Sequence, residues 1–472
     1  MNDQMQLYDY FDKVVWNKPL RLCELYGGIG SQHKALTNLG VHISEHYLVE
    51  VDINATISYA AIHCDLNNHL DDDVPSDSDM ITYLKPFNFS SNEKPYDVAK
   101  LPKSKLKTLY LATLLSNNLG DVFELDDLPA VDLITWSTPC QDFSNAGLKK
   151  GFDGAKGGLT FVTLQLFRKL THKPTFLLFE NVPMIVSEVF RDGFNRMLIE
   201  LDGLGYENVV MKLNAKDYGI PQNRDRVFVL SIRKDYYANY SSPKPIELQL
   251  RLKDMLQEQV DERYYLSDKM MNYMTSMDDR NGFVRGDRFN PHDAESKYAF
   301  AITTNAGNRP TDNFIAIPED NKKGFCEAYE GDGVYIDRPH QKRGTVQKGM
   351  IQTLNTTPQT DLGVVVAVQL QAKDRDYNKK GKQREERFEP RSDELSNAVL
   401  TNDIKNMVTN NLRIRKLTPL ETWRLMGFTD DDFTKAEQHH SNSALYKQAG
   451  NSIVVQVLEH ILKGVFHEPD TV

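Results

Sequence analysis

Leu20-Arg21-Leu22-Cys23-Glu24-Leu25, followed by Tyr26-Gly27-Gly28-Ile29-Gly30-Ser31, is the stretch on which the fold turns. A short apolar run gives way to a glycine-rich turn. Ser31–Leu39 then reads as a helix closed by Gly40. A glycine-rich turn between strand and helix lets a backbone approach a ligand closely, although a tight turn without a ligand has the same composition. The spacing is not GxGxxG, so a nicotinamide-dinucleotide reading is poor.

The alternation continues outward. Strands are expected at Tyr47–Val51, Val131–Thr135, Thr175–Phe179, Val209–Leu213 and Val227–Ile232. Helices are expected at Ala55–Asn67, Thr160–Leu170 and Ile185–Leu204. Strand–helix alternation predicts a parallel sheet covered on both faces. Ligands of such sheets bind beyond the carboxyl ends of the strands. Gly28, Glu50, Cys140 and Glu180 all fall at those ends.

Two regions break the pattern. Residues 65–119 read as an insertion, with six aspartates and no Lys or Arg in 65–79 and a helix at Lys103–Asn118. After Ile232, Leu248–Val260 looks helical and a Gly-, Asn- and Thr-rich stretch of short strands follows. A loose hairpin repeat runs through it: 301–305 with 314–317, 353–357 with 364–366, and 399–402 with 412–414. Helices return at Thr418–Met426 and Val454–Lys463.

Composition sets the class. The chain has 472 residues, 40% hydrophobic and 26% charged, which is globular and long enough to bury large cores. No run of eighteen apolar residues is present, and the polar, acidic start lacks the features of a signal peptide. The four cysteines form no CxxC pair, so a zinc ribbon or disulfide framework is not expected and a reducing cytoplasm is the simplest setting. The net charge of −10 argues weakly against a nucleic-acid partner. Residues 338–391, however, carry twelve Lys/Arg against six Asp/Glu, and a local patch can steer a polyanion. A solvated loop has the same look.

Three further segments carry residue types that do chemistry. Cys140 lies in Pro139-Cys140-Gln141-Asp142-Phe143-Ser144, and a thiol at a helix start would ionise more readily, whereas a buried cysteine would be inert. Glu180 ends Phe179-Glu180-Asn181-Val182, as either an exposed strand end or a half-buried acid able to donate a proton. Arg224 and Arg226 lie in Gln222-Asn223-Arg224-Asp225-Arg226. They are either surface charge or a pair able to hold a carbonyl or phosphate.

Taken in order, these pieces resemble the DNA (cytosine-5) methyltransferase family. Glu50-Val51-Asp52, Gly120-Asp121-Val122, Arg415 through Glu421, Met426-Gly427-Phe428 and Gln448-Ala449-Gly450-Asn451-Ser452 complete the match, which spans nearly the whole chain. Tyr26 stands where the family usually has Phe.

The resemblance implies an α/β, Rossmann-like S-adenosylmethionine-dependent methyltransferase domain with a smaller, mainly β target-recognition domain. The implied division is 1–232 catalytic, 233–440 target recognition, and 441–472 a C-terminal helix returning to the catalytic domain. It implies Cys140 as the nucleophile on cytosine C6, Glu180 on the N3 and amine edge, Arg226 on O2, and Arg224 near the thiol. Tyr26, Gly28, Gly30, Glu50, Val51, Asp121, Val122, Pro139, Leu159, Asn451 and Ser452 would hold S-adenosylmethionine, without a metal. Arg338, Lys342, Arg343, Lys348 and the cluster at 373–391 are candidates for DNA contact. The base must leave the duplex stack to be reached. The partner would be double-stranded DNA, the chain a cytoplasmic monomer of bacterial or phage origin, and a cognate restriction endonuclease a separate protein.

Four competing readings share parts of this pattern. A zinc cytidine deaminase needs Pro-Cys-x-x-Cys, which is absent. An amino methyltransferase needs an Asp/Asn-Pro-Pro-aromatic loop, where this chain has Pro139-Cys140. An RNA (tRNA-type) cytosine methyltransferase is expected to have a smaller recognition region. The alternative from another class is a DNA-binding regulator without catalysis, which intact Cys140, Glu180 and Arg226 disfavour.

Overall fold

The computed structural model describes residues 16–91, 94–139, 152, 158–236, 240–267, 277–278, 283–284, 291–292, 296–304, 313–318, 333–335, 346–347, 362–364, 368–372, 386–390 and 412–466. A six-stranded sheet lies at its centre. The strands are β1 (Leu20–Leu25), β2 (Ile43–Val49), β3 (Leu133–Trp136), β4 (Phe176–Asn181), β5 (Tyr206–Asn214) and β6 (Asp225–Arg233). Their spatial order is β2-β1-β3-β4-β6-β5.

The first four strands pair in parallel, with Leu22 opposite Leu133 and Leu133 opposite Phe176. β1, β3 and β4 are buried on both faces, as parallel strands between helical layers must be, while the edge strand β2 is buried only at its end, Leu48 and Val49. One face packs Cys23, Ile134, Trp136 and Phe179 against α5 (Leu159–Lys169) and α6 (Arg191–Gly203). At the opposite side, Phe176 meets Phe466 of α10 (Val455–Phe466), ring centroids 5.9 Å apart.

The sheet departs from the all-parallel expectation at β6. It runs antiparallel to both β4 and β5. The reason is the connection. Residues 215–224 hold a single 3-10 turn, Ala215–Tyr218, which is too short for the helical crossover that a parallel return requires.

Two expected helices also differ. Ile185–Leu204 is divided, with 3-10 turns at Pro183–Val186 and Glu188–Phe190 before α6, because Ser187 is extended at ψ 162°. Leu248–Val260 holds only a 3-10 turn, Leu252–Met255. The Arg251 guanidinium takes the carbonyls of Leu248, Gln249 and Leu250 instead, a local competitor to helix formation.

The 65–119 segment is mainly helical. It contains α3 (Asp77–Leu84) and α4 (Lys103–Leu115), which form a second core with α2 (Ile53–His63) through Ile57, Met80, Leu84, Leu106 and Leu109. The C-terminal segment is a run of short helices: α7 (Pro419–Arg424), α8 (Asp430–Glu437), α9 (Asn442–Asn451) and α10. These return to the N-terminal half. Lys34 pairs with Asp432 at 2.8 Å, and Gln448 Nε2 donates to Ser58 Oγ at 2.8 Å.

The chain divides into two compact units. The larger is Met1–Tyr264, Met270–Phe314 and Lys416–Val472; the smaller is Tyr265–Lys269 and Ile315–Arg415. Residues 233–264 and 416–440 therefore lie with the sheet rather than apart from it. Gln257 N donates to the buried Glu421 at 2.8 Å, and Tyr240 Oη donates to the Ile461 carbonyl at 3.2 Å. The smaller unit holds an antiparallel sheet of Val346–Gln347, Gly333–Tyr335 and Leu362–Val364, and a hairpin of Val368–Ala372 with Glu386–Pro390. In the loose repeat, Phe314–Pro318 pairs with Leu412–Lys416, so the apolar strands of the first and third copies pair with each other. Residues 353–357 and 399–402 lie outside the described residues.

Gly450 is where the last helices meet the 302–304 segment. A Cβ there would lie 2.6 Å from Thr304 N and 2.7 Å from Thr303 C, both backbone atoms. Gly450→Ala is expected to cost about 1–3 kcal/mol, as overpacking does. A fall in urea midpoint at unchanged slope would show it; an unaltered midpoint would mean that the contact is soft.

Candidate active site

The turn after β1 takes three left-handed residues in five, Tyr26 (φ 56°), Gly28 (φ 58°) and Gly30 (φ 78°). Gly30 is required twice over, since a Cβ would also meet His63 Nε2 at 2.4 Å. Gly28 differs: nothing lies within 4 Å of the position its Cβ would take. Its N–H donates to Glu50 Oε2 at 3.0 Å, and Asp52 N donates to Glu50 Oε1 at 2.7 Å. Burial, with the Asp52 charge beside it, pushes the Glu50 carboxyl up to about 7. Tyr26 Oη is 3.0 Å from Thr163 Oγ1, which in turn donates to the carbonyl of Leu159, the first residue of α5.

Asp121 caps the turn Val122–Glu124 by accepting from Phe123 N, and Val122 is buried. Asn118 joins this loop to the preceding strand end. Its Oδ1 accepts from Glu50 N and Gly120 N, and its Nδ2 donates to the Glu50 carbonyl at 2.9 Å. The Val51 carbonyl accepts from Ser90 N at 2.7 Å. Asn451 is exposed at the end of α9. Ser452 is buried against the Gln448 carbonyl, and the next residue, Ile453, donates its N–H to Ser31 Oγ at 3.3 Å. The glycine turn, Glu50, Asp121, Leu159 and Ser452 thus sit on segments that are tied to one another.

Asn118 went unnoticed in the sequence, as did Glu24, which sits inside β1 with no exposure. Glu24 accepts from Tyr59 Oη at 2.6 Å and His33 N at 3.2 Å, and burial pushes it up to about 7. The one available signal was an acid within an apolar strand.

The next strand ends carry the second group. Glu180 is 7% exposed at the end of β4. Ser137, just beyond β3, donates to Glu180 Oε2 at 2.5 Å, and Arg226 Nε meets Glu180 Oε1 at 2.9 Å. Asn181 Nδ2 holds the Thr138 carbonyl at 3.0 Å, fixing the segment that leads to Pro139. Ser137 was not among the expected site residues. Cys140 lies outside the described residues, as do Arg338, Lys342, Arg343, Lys348 and, at the level of side chains, the 373–391 cluster.

Arg224 is 4% exposed, and its guanidinium donates to three backbone carbonyls, those of Ile302 (2.9 Å), Gly450 (3.0 Å) and Ser452 (2.9 Å). It thereby anchors the C-terminal segment; Cys140, which it was expected to adjoin, lies outside the described residues. The two arginines of one short motif thus do different work.

A model of the C-5 cytosine-specific DNA methylases matches residues 98–467. The chain belongs to this family. Its activity is accordingly methyl transfer to C5 of cytosine in DNA. Among its relatives, the type II methyltransferase M2.ScrFI of Lactococcus lactis subsp. cremoris is 29% identical over 95% of this chain and 99% of its own length. The orphan methyltransferase M.SPRI of Bacillus phage SPR is 29% identical over 95% and 98%. M.SssI of Spiroplasma monobiae is 32% identical over 55% and 70%. The fold is also that of a methyltransferase of Entamoeba histolytica (TM-score 0.52, 14% identity, 95% and 98% covered) and of Dnmt2 from S. pombe (0.50, 16%, 96% and 100%). No described helix is long and apolar enough to cross a membrane.

Two carboxyls of this methylase, the buried Glu24 and the half-buried Glu50, are raised from 4.5 to about 7, so each holds in the folded chain a proton that the unfolded chain has released. Each contributes stability that is lost as pH rises between these values, while His33, His63 and His440, held below their usual value by burial, contribute in the opposite sense. Glu50→Gln should remove the Glu50 share alone, so that the variant gains about 2 kcal/mol of unfolding free energy relative to wild type between about pH 5 and 7.5. A difference between wild type and variant that does not change with pH would contradict the shift assigned to Glu50.

Proposed function

We propose that the chain methylates cytosine within a short duplex sequence through a covalent bond between Cys140 and C6, using S-adenosylmethionine. The reading rests on the Ser137–Glu180–Arg226 group lying on strand ends beside those of the glycine turn and Glu50. The cofactor fits the residues present. Gly28 leaves open space where a side chain would stand, next to the half-buried Glu50 carboxyl, suited to ribose hydroxyls. Tyr26, Gly28 and Gly30 would face its methionine end, Glu50 and Val51 its ribose and adenine, and Asp121 and Val122 its adenine. Pro139, Leu159, Asn451 and Ser452 would complete the pocket. Bound there, the sulfonium would offer a methyl group to a nucleophilic carbon.

The chain's own residues create that carbon. Cytosine C5 is a poor nucleophile until sulfur adds at C6. The Cys140 thiolate forms the C6–S bond, the ring electrons shift toward C5, and N3 takes a proton from Glu180. Arg226 holds O2 as charge gathers there. After C5 is methylated, loss of its proton restores the double bond and breaks the C6–S bond. The base must be flipped from the stack for any of this to occur.

Target recognition is assigned to the region between the arginine motif and α7, which includes the smaller unit. Its basic residues would contact phosphates and bases, with affinity falling steeply with salt. With relatives named as type II and as orphan methyltransferases, this chain would serve either beside a cognate restriction endonuclease or without one, acting as a monomer with any endonuclease a separate protein.

The test is a genome-wide map of 5-methylcytosine in a methylation-free bacterial host expressing the protein. Methylation confined to one short motif, and absent with Cys140→Ala, is the expected result. An unmethylated chromosome from soluble protein would favour an RNA substrate or a non-catalytic DNA-binding role.

A further inference from the structure

Both carboxylate oxygens of Glu180 are held, one by Arg226 and the other by Ser137. The Ser137 contact is unusual in having two acceptors on one residue. Its Oγ lies 2.5 Å from Glu180 Oε2 and 3.2 Å from the main-chain carbonyl of Glu180. A hydroxyl carries one proton and can also accept. While Glu180 is a carboxylate, the hydroxyl donates to Oε2. When Glu180 carries a proton and has not yet engaged the base, it can donate to the Ser137 oxygen while the hydroxyl turns to the carbonyl; once that proton is given to N3, the hydroxyl donates to Oε2 again. No heavy atom moves between the two arrangements.

We propose that Ser137 is a positioning residue, which holds Glu180 in one orientation through both of its protonation states. This rests on the reading of Glu180 as the proton donor to N3. In that reaction Glu180 loses a proton to N3 when sulfur adds and regains it when sulfur leaves, so it must change state twice per turnover without leaving the base. The charged group meeting its carboxyl from β6 is Arg226. Arg224, two residues earlier, is turned onto the backbone carbonyls of 302, 450 and 452. Arg226 cannot serve both states in this way, because a guanidinium donates and does not accept.

Single-turnover methylation of duplex DNA against pH tests this, with the full chain. Removing a donor to the carboxylate favours its acid form. In Ser137→Ala the rate should fall roughly tenfold near neutral pH, the loss expected for a hydrogen bond to a charged group. The high-pH limb, where an enzyme that needs protonated Glu180 loses activity, should move upward by about half a unit or more. DNA binding should stay within about twofold, because most DNA affinity comes from contacts to phosphates, which a buried hydroxyl bonded to Glu180 does not make. Ser137→Thr keeps the hydroxyl and should return the limb to its wild-type position. Ser137→Gly is a second variant lacking the hydroxyl, which preserves the comparison if Ser137→Ala does not fold.

A high-pH limb unmoved in both hydroxyl-free variants overturns the inference, and so does a Thr variant displaced as far as Ala. Wild-type protein that transfers no methyl to cytosine sinks the underlying reading and the inference together, an outcome distinct from an active enzyme indifferent to Ser137.

Discussion

The antiparallel pairing of β6 with β4 is the constraint on which the candidate site depends. In a wholly parallel sheet the start of every strand lies at the edge away from the ligand. Because β6 runs backwards, Val227 stands opposite Asn181 and Arg226 emerges beside the end of β4. The pairing brings the Arg226 guanidinium to 2.9 Å from Glu180. A carboxylate 7% exposed needs such a partner, since removing one member of a buried pair leaves a charge that costs several kcal/mol. The short link between β5 and β6, which forbids a crossover, is therefore also what assembles the acid–arginine pair.

The same motif closes the fold by its other arginine. Arg224 gathers carbonyls from residues 302, 450 and 452, and Gly450 admits the 302–304 segment at backbone distance. Gln448 then reaches Asn54 and Ser58 of α2, Lys447 reaches Asp52, and Lys34 reaches Asp432. Residues about four hundred positions apart thus form one wall around the turn after β1. A chain whose last helices complete its first strand's site must fold as a whole before that site exists, which makes the ordering of these contacts costly in loop closure.

Much of the site was legible because its residues sit at strand ends, where a change from apolar to polar is visible in sequence. β1 has the expected bounds, and Glu50 and Glu180 each follow or end an apolar run. What escaped was set by partners rather than by local pattern. Ser137 is an ordinary serine until Glu180 stands 43 positions away at hydrogen-bond distance. Asn118 looks like a helix terminus but ties the loop at Gly120 to the residue after β2. Arg224 and Arg226 belong to one motif, and nothing in its local pattern shows that the first also gathers the carbonyls of residues 302, 450 and 452. The direction of β6 was missed because apolar periodicity carries no sign; the brevity of residues 215–224 was the available clue. Residues 416–440 and 233–264 join the larger unit through long-range contacts such as Gln222 to the Leu425 carbonyl and Tyr240 to the Ile461 carbonyl, which composition does not register.

The most direct test of the account is to trap the proposed bond. Duplex DNA carrying 5-fluorocytosine at the methylated position cannot lose a proton from C5, so the adduct should persist after methyl transfer. Incubation with the protein and S-adenosylmethionine, followed by digestion and mass spectrometry, should find the modified base on the peptide containing Cys140. A stable adduct on any other residue, or methylation of normal cytosine with no trapped adduct on the fluorinated duplex, would contradict it.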